Sequence, residues 1–293
     1  MKTERAGNAF VLGGALLWGL FPVITQLVYG AISPLPALAW ADLFAAVFFA
    51  IIMTVKRQWG SFADRAVFRD ILLATLFLGI FYYVLTFIGL RYTSAGNASL
   101  LGLTEIFFSY LLFNVFRGEK LPTLHLVGAI LTIAGAGIVL YPNTTAFNMG
   151  DFLIVAAAAV APFGNLFQRR ARGSAPSEAI LFVRCAVSSI FIFCAAYALG
   201  ERMVPVFSFT VFALLAVNGI FLLGLSKIFW IEGIFRISIT RANALSGITP
   251  LFTLLFAYVM LGNVPTVWQL SSFVPMFIGV LLLSVPKQQF LPR

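Results

Sequence analysis

The stretch Gly96–Pro122, GNASLLGLTEIFFSYLLFNVFRGEKLP, returns in variant form as Ala242–Pro265, ANALSGITPLFTLLFAYVMLGNVP. Each copy runs from an Asn-Ala entrance through a Gly-x-Thr step and a Phe-rich apolar run to a Gly-Glu or Gly-Asn stop, then a Pro. One difference stands out: the first copy carries Glu105 where the second has Pro250. A chain that writes the same phrase twice is built from one module used twice, and the remaining segments are parsed around that duplication.

Of 293 residues, 61% are hydrophobic and only 10% charged. Soluble domains usually carry about a quarter charged residues, so this composition belongs to an integral membrane protein. The 24 Gly and 32 Phe suit packed helices rather than a β-barrel, whose strands alternate polar and apolar residues. The net charge of +9 would point a soluble protein toward nucleic acid. Here the basic residues sit in short runs between apolar segments, so they set orientation in the bilayer and no nucleic-acid partner is expected. Cys185 and Cys194 share one apolar segment without metal-ligand spacing and are expected to be packing residues.

A spanning helix needs roughly 20 apolar residues. Ten segments qualify: Asn8–Val28, Pro34–Val55, Phe68–Leu90, Ser94–Phe116, Leu121–Tyr141, Met149–Gln168, Ala175–Leu199, Ser208–Ile231, Ser238–Leu261 and Pro265–Val285. The first is long for a cleaved leader and lacks a small-x-small site, so it is expected to stay. With the N-terminus inside, the inner side receives Lys2, Arg5, Lys56, Arg57, Arg65, Arg69, Arg117, Lys120, Arg169, Arg170, Arg172, Arg236, Arg241, Lys287 and Arg293. The outer side receives Arg91 and Arg202. That asymmetry predicts cytoplasmic N- and C-termini.

Ten helices from a doubled module leave an odd number in each half, which forces the halves to enter the membrane in opposite senses. Further echoes support the doubling: Ser33-Pro34 with Ala175-Pro176, Leu121-Pro122-Thr123 with Val264-Pro265-Thr266, Gly137-Ile138-Val139-Leu140 with Gly279-Val280-Leu281-Leu282, and Gly79-Ile80-Phe81 with Gly219-Ile220-Phe221. The predicted fold class is an all-α polytopic membrane protein of ten transmembrane helices, arranged as two inverted five-helix repeats, 1–145 and 146–293. Inverted repeats are the usual basis of alternating access.

The two five-helix halves, Gly89-Leu90-Arg91-Tyr92-Thr93-Ser94-Ala95, Gly118-Glu119-Lys120-Leu121 and the Gly-rich fifth segment resemble the EamA branch of the drug/metabolite transporter superfamily over nearly the whole chain. Within that branch the chain is most similar to aromatic amino acid exporters. The resemblance implies a multi-pass exporter of amino acids or related metabolites in the bacterial inner membrane, monomer or homodimer. It also implies a central cavity lined by the first, third, fourth, sixth, eighth and ninth helices. Three positions depart from the family pattern. Asp42 stands near the family's Arg in the second helix, although Arg184 keeps the base in the second half. Glu105 replaces the mid-helix Pro of the fourth helix, which Pro250 retains in the ninth. The acid after Gly, Glu119, becomes Asn263 in the second copy.

An ionised side chain near the bilayer centre costs about 3 kcal/mol on insertion scales and so needs a partner, water or a role. Glu105 lies about 11 residues into its segment, roughly 16 Å along a helix and close to the middle of the membrane. It is either a coupling or substrate-amine site, able to exchange protons, or a protonated carboxyl bonded to a neighbouring helix. Asp42 and Arg184 fall at different depths and are expected to tie helices together or to gate one end of the pathway, rather than to pair. Lys227 either snorkels to the inner surface or faces the cavity and holds a carboxylate; Asn218, Ser226 and Trp230 nearby favour the second.

A small amphipathic ligand could be surrounded by Trp18, Tyr82, Tyr83, Asn97, Phe163, Asn165, Trp230, Asn243 and Ser246. Pro22, Pro162 and Pro250 serve as hinges that free backbone groups. Trp40, Trp59, Trp268 and His125 read as interfacial. With one histidine, no His-Glu-x-x-His zinc site can form. Asp42 and Glu105 fall at different estimated depths and lack the glycine motifs of a protease dyad, and there is no phosphate-cradling Gly-x-x-x-x-Gly-Lys. The sequence therefore predicts a secondary carrier without metal or cofactor, whose partners are a small-molecule substrate and the lipid bilayer. A multidrug or organic-cation exporter using Glu105 is the alternative within transport; a membrane enzyme or assembly factor is the alternative outside it.

Overall fold

The computed structural model describes residues 2–62, 65–112, 123–141, 148–203, 208–237 and 239–285, and the regular elements among them are helical. The first half holds α1 (Lys2–Val28), α2 (Pro34–Val55), α3 (Arg65–Ala74), α4 (Tyr83–Tyr92), α5 (Ala95–Gly102), α6 (Thr104–Tyr110) and α7 (Thr123–Leu140). The second holds α8 (Met149–Arg172), α9 (Ser177–Ala198), α10 (Phe209–Val217), α11 (Ser226–Arg236), α12 (Ile239–Ser246), α13 (Thr249–Leu261) and α14 (Val267–Leu283).

Among the described residues, seven helices are long and apolar enough to cross a membrane: Glu4–Val28, Pro34–Val55, Arg65–Tyr92, Thr123–Leu140, Met149–Arg172, Ser177–Ala198 and Phe209–Gly233. Three expected spans are not continuous helices of that length. The fourth and ninth break at their Gly-x-Thr steps, between α5 and α6 and between α12 and α13, and α14 is 17 residues long. The breaks have local causes. Gly102 and Gly247 each cost about 1 kcal/mol of helix propensity relative to Ala. Thr104 turns its hydroxyl back onto the Leu101 carbonyl at 2.6 Å, and Pro250 has no N–H to continue a ladder. Leu103 (φ −63°, ψ −21°) and Ile248 (φ −77°, ψ −13°) stay right-handed, so the chain bends without reversing. Pro22 and Pro162 lie inside unbroken α1 and α8.

The Gly-Asn stop of the second copy is a left-handed cap. Gly262 has φ +70°, and the Asn263 N–H reaches back to the Ala257 carbonyl at 3.2 Å, which satisfies a carbonyl left open at the helix end. The matching Gly118-Glu119, with Arg117 and Lys120, lies outside the described residues.

Two π-helical stretches repeat as well. Thr75–Tyr82 joins α3 to α4, and Asn218–Leu225 joins α10 to α11. Each contains one of the Gly-Ile-Phe echoes. A Cβ on Gly79 would come within 2.2 Å of Ser188 Oγ on α9, and one on Gly219 within 2.3 Å of the Ala41 carbonyl on α2. The two halves thus make the same close crossing twice. Helix association in lipid relies on such backbone approach because lipid tails give apolar surfaces little reason to leave them. The α7/α14 contact shows it most directly: a Cβ on Gly128 would lie 2.9 Å from the Gly279 carbonyl, and one on Gly279 would lie 2.7 Å from the Gly128 carbonyl.

Polar ties hold helix ends together. Gln26 Nε2 donates to the carbonyls of Leu90 (3.0 Å) and Thr93 (2.6 Å), and the Tyr29 hydroxyl to Phe87 (2.6 Å). α2 packs along α9, with Lys56 paired to Glu178 at one end and the Ser33 hydroxyl donating to Glu201 (2.6 Å) at the other. Two residues read as interfacial are held by hydrogen bonds near helix ends. His125 is 2% exposed; its Nε2–H donates to the Val285 carbonyl at 2.8 Å, and Nδ1 lies 3.2 Å from the Tyr110 hydroxyl. Trp40 donates to the Met203 carbonyl (2.8 Å) and meets Phe193 and Phe212 edge-on. Cys185 is buried, Cys194 exposed, and both are free.

Candidate functional site

The site is assembled where α1, the π stretch ending at Tyr82, α6, α8 and α11 face a common interior. Glu105 stands in the first turn of α6, just after the break that ends α5. Asn165, one turn past Pro162 on α8, donates through Nδ2 to Glu105 Oε1 at 2.8 Å. Lys227, at the start of α11, sets its ammonium 3.2 Å from the centre of the Trp18 ring. Trp18 is stacked on Phe21 (4.3 Å, 6°) and meets Tyr83 edge-on at 6.4 Å; Tyr83 in turn contacts Tyr82 at 5.0 Å. Glu105, Lys227, Trp18, Asn165 and Tyr82 are half-buried, while Phe21 and Tyr83 are buried.

Glu105 and Lys227 feel each other's charge, yet their N···O separation exceeds the 4.0 Å of an ion pair. Lys227 also feels the like charge of Arg184. Asp42 is 2% and Arg184 3% exposed. Arg184 Nη1 donates to Gln168 Oε1 (2.9 Å), and its guanidinium lies over Tyr83 at 5.9 Å. Thus α9 is tied to α8 and to Tyr83. Asp42 and Arg184 sense each other's charge, but Asp42 Oδ2 and Arg184 Nη2 are buried without a hydrogen-bond partner. Midway along the α2/α9 contact the Ser189 hydroxyl donates to the Ala39 carbonyl at 2.8 Å, a register that sets Asp42 level with Ala186, within one turn of Arg184.

The other candidates lie elsewhere. Phe163 stacks on Phe77 (5.7 Å) and is 42% exposed; it is two positions from Asn165 and therefore about 200° around α8. Trp230 packs at the junction of α1, α11 and α12 with Val11, Ile237 and Ala242. Ser246 turns onto the Ala242 carbonyl (2.8 Å), and the Asn243 carbonyl accepts from Gly247 (3.0 Å). Pro250 opens α13. Asn97 accepts from Gln269 Nε2 at 2.8 Å beside a cavity of about 460 Å³, lined also by Ser94, Asn263, Thr266 and Trp268. Two participants escaped sequence reasoning, Phe21 and Gln168. Phe21 is one of many Phe in apolar runs, and Gln168 reads as the polar end of a helix next to Arg169-Arg170.

Helical spans and breaks that recur at matching steps mark a multi-pass membrane protein built on a repeated unit. The EamA-like transporter family matches residues 5–141 and again 148–285, so the chain belongs to that family, twice over. An uncharacterized transporter of Synechocystis sp. is 20% identical over 209 residues; the match takes in 68% of this chain and spans 60% of the relative's length. A crystal structure of another protein shares the fold, with a TM-score of 0.70 at 17% identity over 95% of this chain and 96% of that one.

Proposed function

We propose that this transporter is a secondary carrier, not an enzyme, that exports neutral amino acids or related metabolites, aromatic ones among them, across a bacterial inner membrane. In this proposal the halves 1–145 and 146–293 are inverted five-helix units making ten crossings, with both termini cytoplasmic, and they alternate in opening the central interior. The observation that carries the reading is that Glu105 and Lys227 share one interior without neutralising each other, against a floor of Trp18, Phe21, Tyr82 and Tyr83. An amino acid presents the complement: an ammonium for Glu105, a carboxylate for Lys227 and an apolar side chain for the rings. An organic cation would meet the fixed ammonium of Lys227, which weighs against that alternative.

The test is counterflow in proteoliposomes with a substrate panel. Neutral amino acids are expected to exchange. Movement of lipophilic cations with no amino acid flux would overturn the reading in favour of a cation exporter, and the absence of all flux would favour an enzyme or assembly factor. Glu105 is also the candidate proton-coupling group: Glu105→Gln is expected to leave whatever transport remains insensitive to pH, and pH-sensitive transport in that variant would remove Glu105 from the coupling step.

A further inference from the structure

Opposite charges in a low-dielectric interior attract strongly and, unhindered, close into an ion pair. Glu105 and Lys227 stay apart because each is held by a neutral group. Lys227 lies on the face of Trp18 at 3.2 Å, and Trp18 is itself fixed by its stack on Phe21 and its edge contact with Tyr83. Glu105 is held by the Asn165 amide at 2.8 Å. The holders come from α1 and α8, the opening helices of the two halves, and the charges come from α6 and α11. Arg184, a like charge felt by Lys227, does not supply the missing counter-ion.

We infer that Trp18 and Asn165 are positioning residues that keep the Glu105–Lys227 pair open, so that the site accepts a molecule bearing one ammonium and one carboxylate and discriminates against molecules bearing either alone. The inference rests on the amino acid reading above and adds how selectivity arises. A zwitterion replaces both holders at once and leaves both fixed charges answered. An amine without a carboxylate, or an acid without an amine, answers one and leaves the other on its neutral holder. Remove a holder, and the freed side chain swings to its opposite charge; the substrate must then break an ion pair before it can bind.

Full-length protein in proteoliposomes tests this with L-phenylalanine, phenethylamine and 3-phenylpropionate as probes. Trp18→Leu and Asn165→Ala are each expected to raise the KM for phenylalanine about tenfold, with the maximal rate held to within about twofold, a size in keeping with loss of one desolvated cation–π contact or charge-assisted hydrogen bond. Trp18→Phe keeps an aromatic face and should stay close to wild type. An unchanged KM in both Trp18→Leu and Asn165→Ala overturns the inference while leaving phenylalanine transport by the wild type intact. Parallel losses of KM and maximal rate that Trp18→Phe fails to rescue overturn it too, since they mark a structural defect. Wild-type protein that carries none of the amino acids sinks the functional reading, and this inference with it.

Discussion

At Lys227 an ammonium rests on an indole where a carboxylate would be the stronger partner, and at Glu105 a carboxylate accepts from an amide where an ammonium would serve better. Both residues can therefore gain by exchanging a neutral contact for a charged one. Charged hydrogen bonds contribute about 1.5–3 kcal/mol, or roughly 10- to 100-fold in affinity. Lys227→Met should weaken carboxylate-bearing substrates by about that factor while sparing amines, and Glu105→Gln should do the reverse. Transport assays with matched amine and acid probes read both, and an equal loss for every substrate would mark a folding defect. The two charges were legible in the sequence because an ionised side chain stands out in an apolar run. Their holders were less so. Asn165 and Phe163 both looked like lining residues, but only helical phase separates them, and a two-residue step turns one toward Glu105 and the other toward Phe77.

The same limit applies to whole elements. The Gly-x-Thr steps were legible as a repeated motif, yet that motif does not say whether a helix bends, breaks or continues. The structure resolves this through the Thr104 back-bond and Pro250. The π stretches are harder still, since one extra residue per turn leaves no mark on apolar composition; the signal was the Gly-Ile-Phe echo, whose glycines sit where α9 and α2 come closest. Glycine spacing also makes a prediction within α7. Gly128 faces the Gly279 carbonyl, whereas a Cβ on Gly137 would meet nothing within 4 Å. Gly128→Ala should lower stability by about 1–3 kcal/mol through overpacking. Gly137→Ala should be neutral or stabilising by up to about 1 kcal/mol through helix propensity. Thermal aggregation of detergent-purified protein compares them, and equal behaviour would mean that the α7/α14 contact is looser than the backbone approach implies.

Across the whole molecule, the duplicated phrase pointed to a doubled module, which the family matches twice, while the number of unbroken spans had to come from the fold. The α2/α9 contact carries a consequence that no single residue reveals. The hydrogen bond from the Ser189 hydroxyl to the Ala39 carbonyl sets the register midway along the contact and brings Leu43 level with Cys185. These two positions are separated in sequence by the same interval as Pro34 and Pro176, so they occupy the same place in the two halves. If the halves trade conformations during transport, the distance between such twins is the same before and after. The middle of α2/α9 then behaves as an axle on which other helices turn. In a background lacking Cys194, Leu43→Cys joined to Cys185 by a short thiol cross-link should leave counterflow running at its reduced-state rate. A carrier that stops on cross-linking and restarts with reductant would show that the axle lies elsewhere.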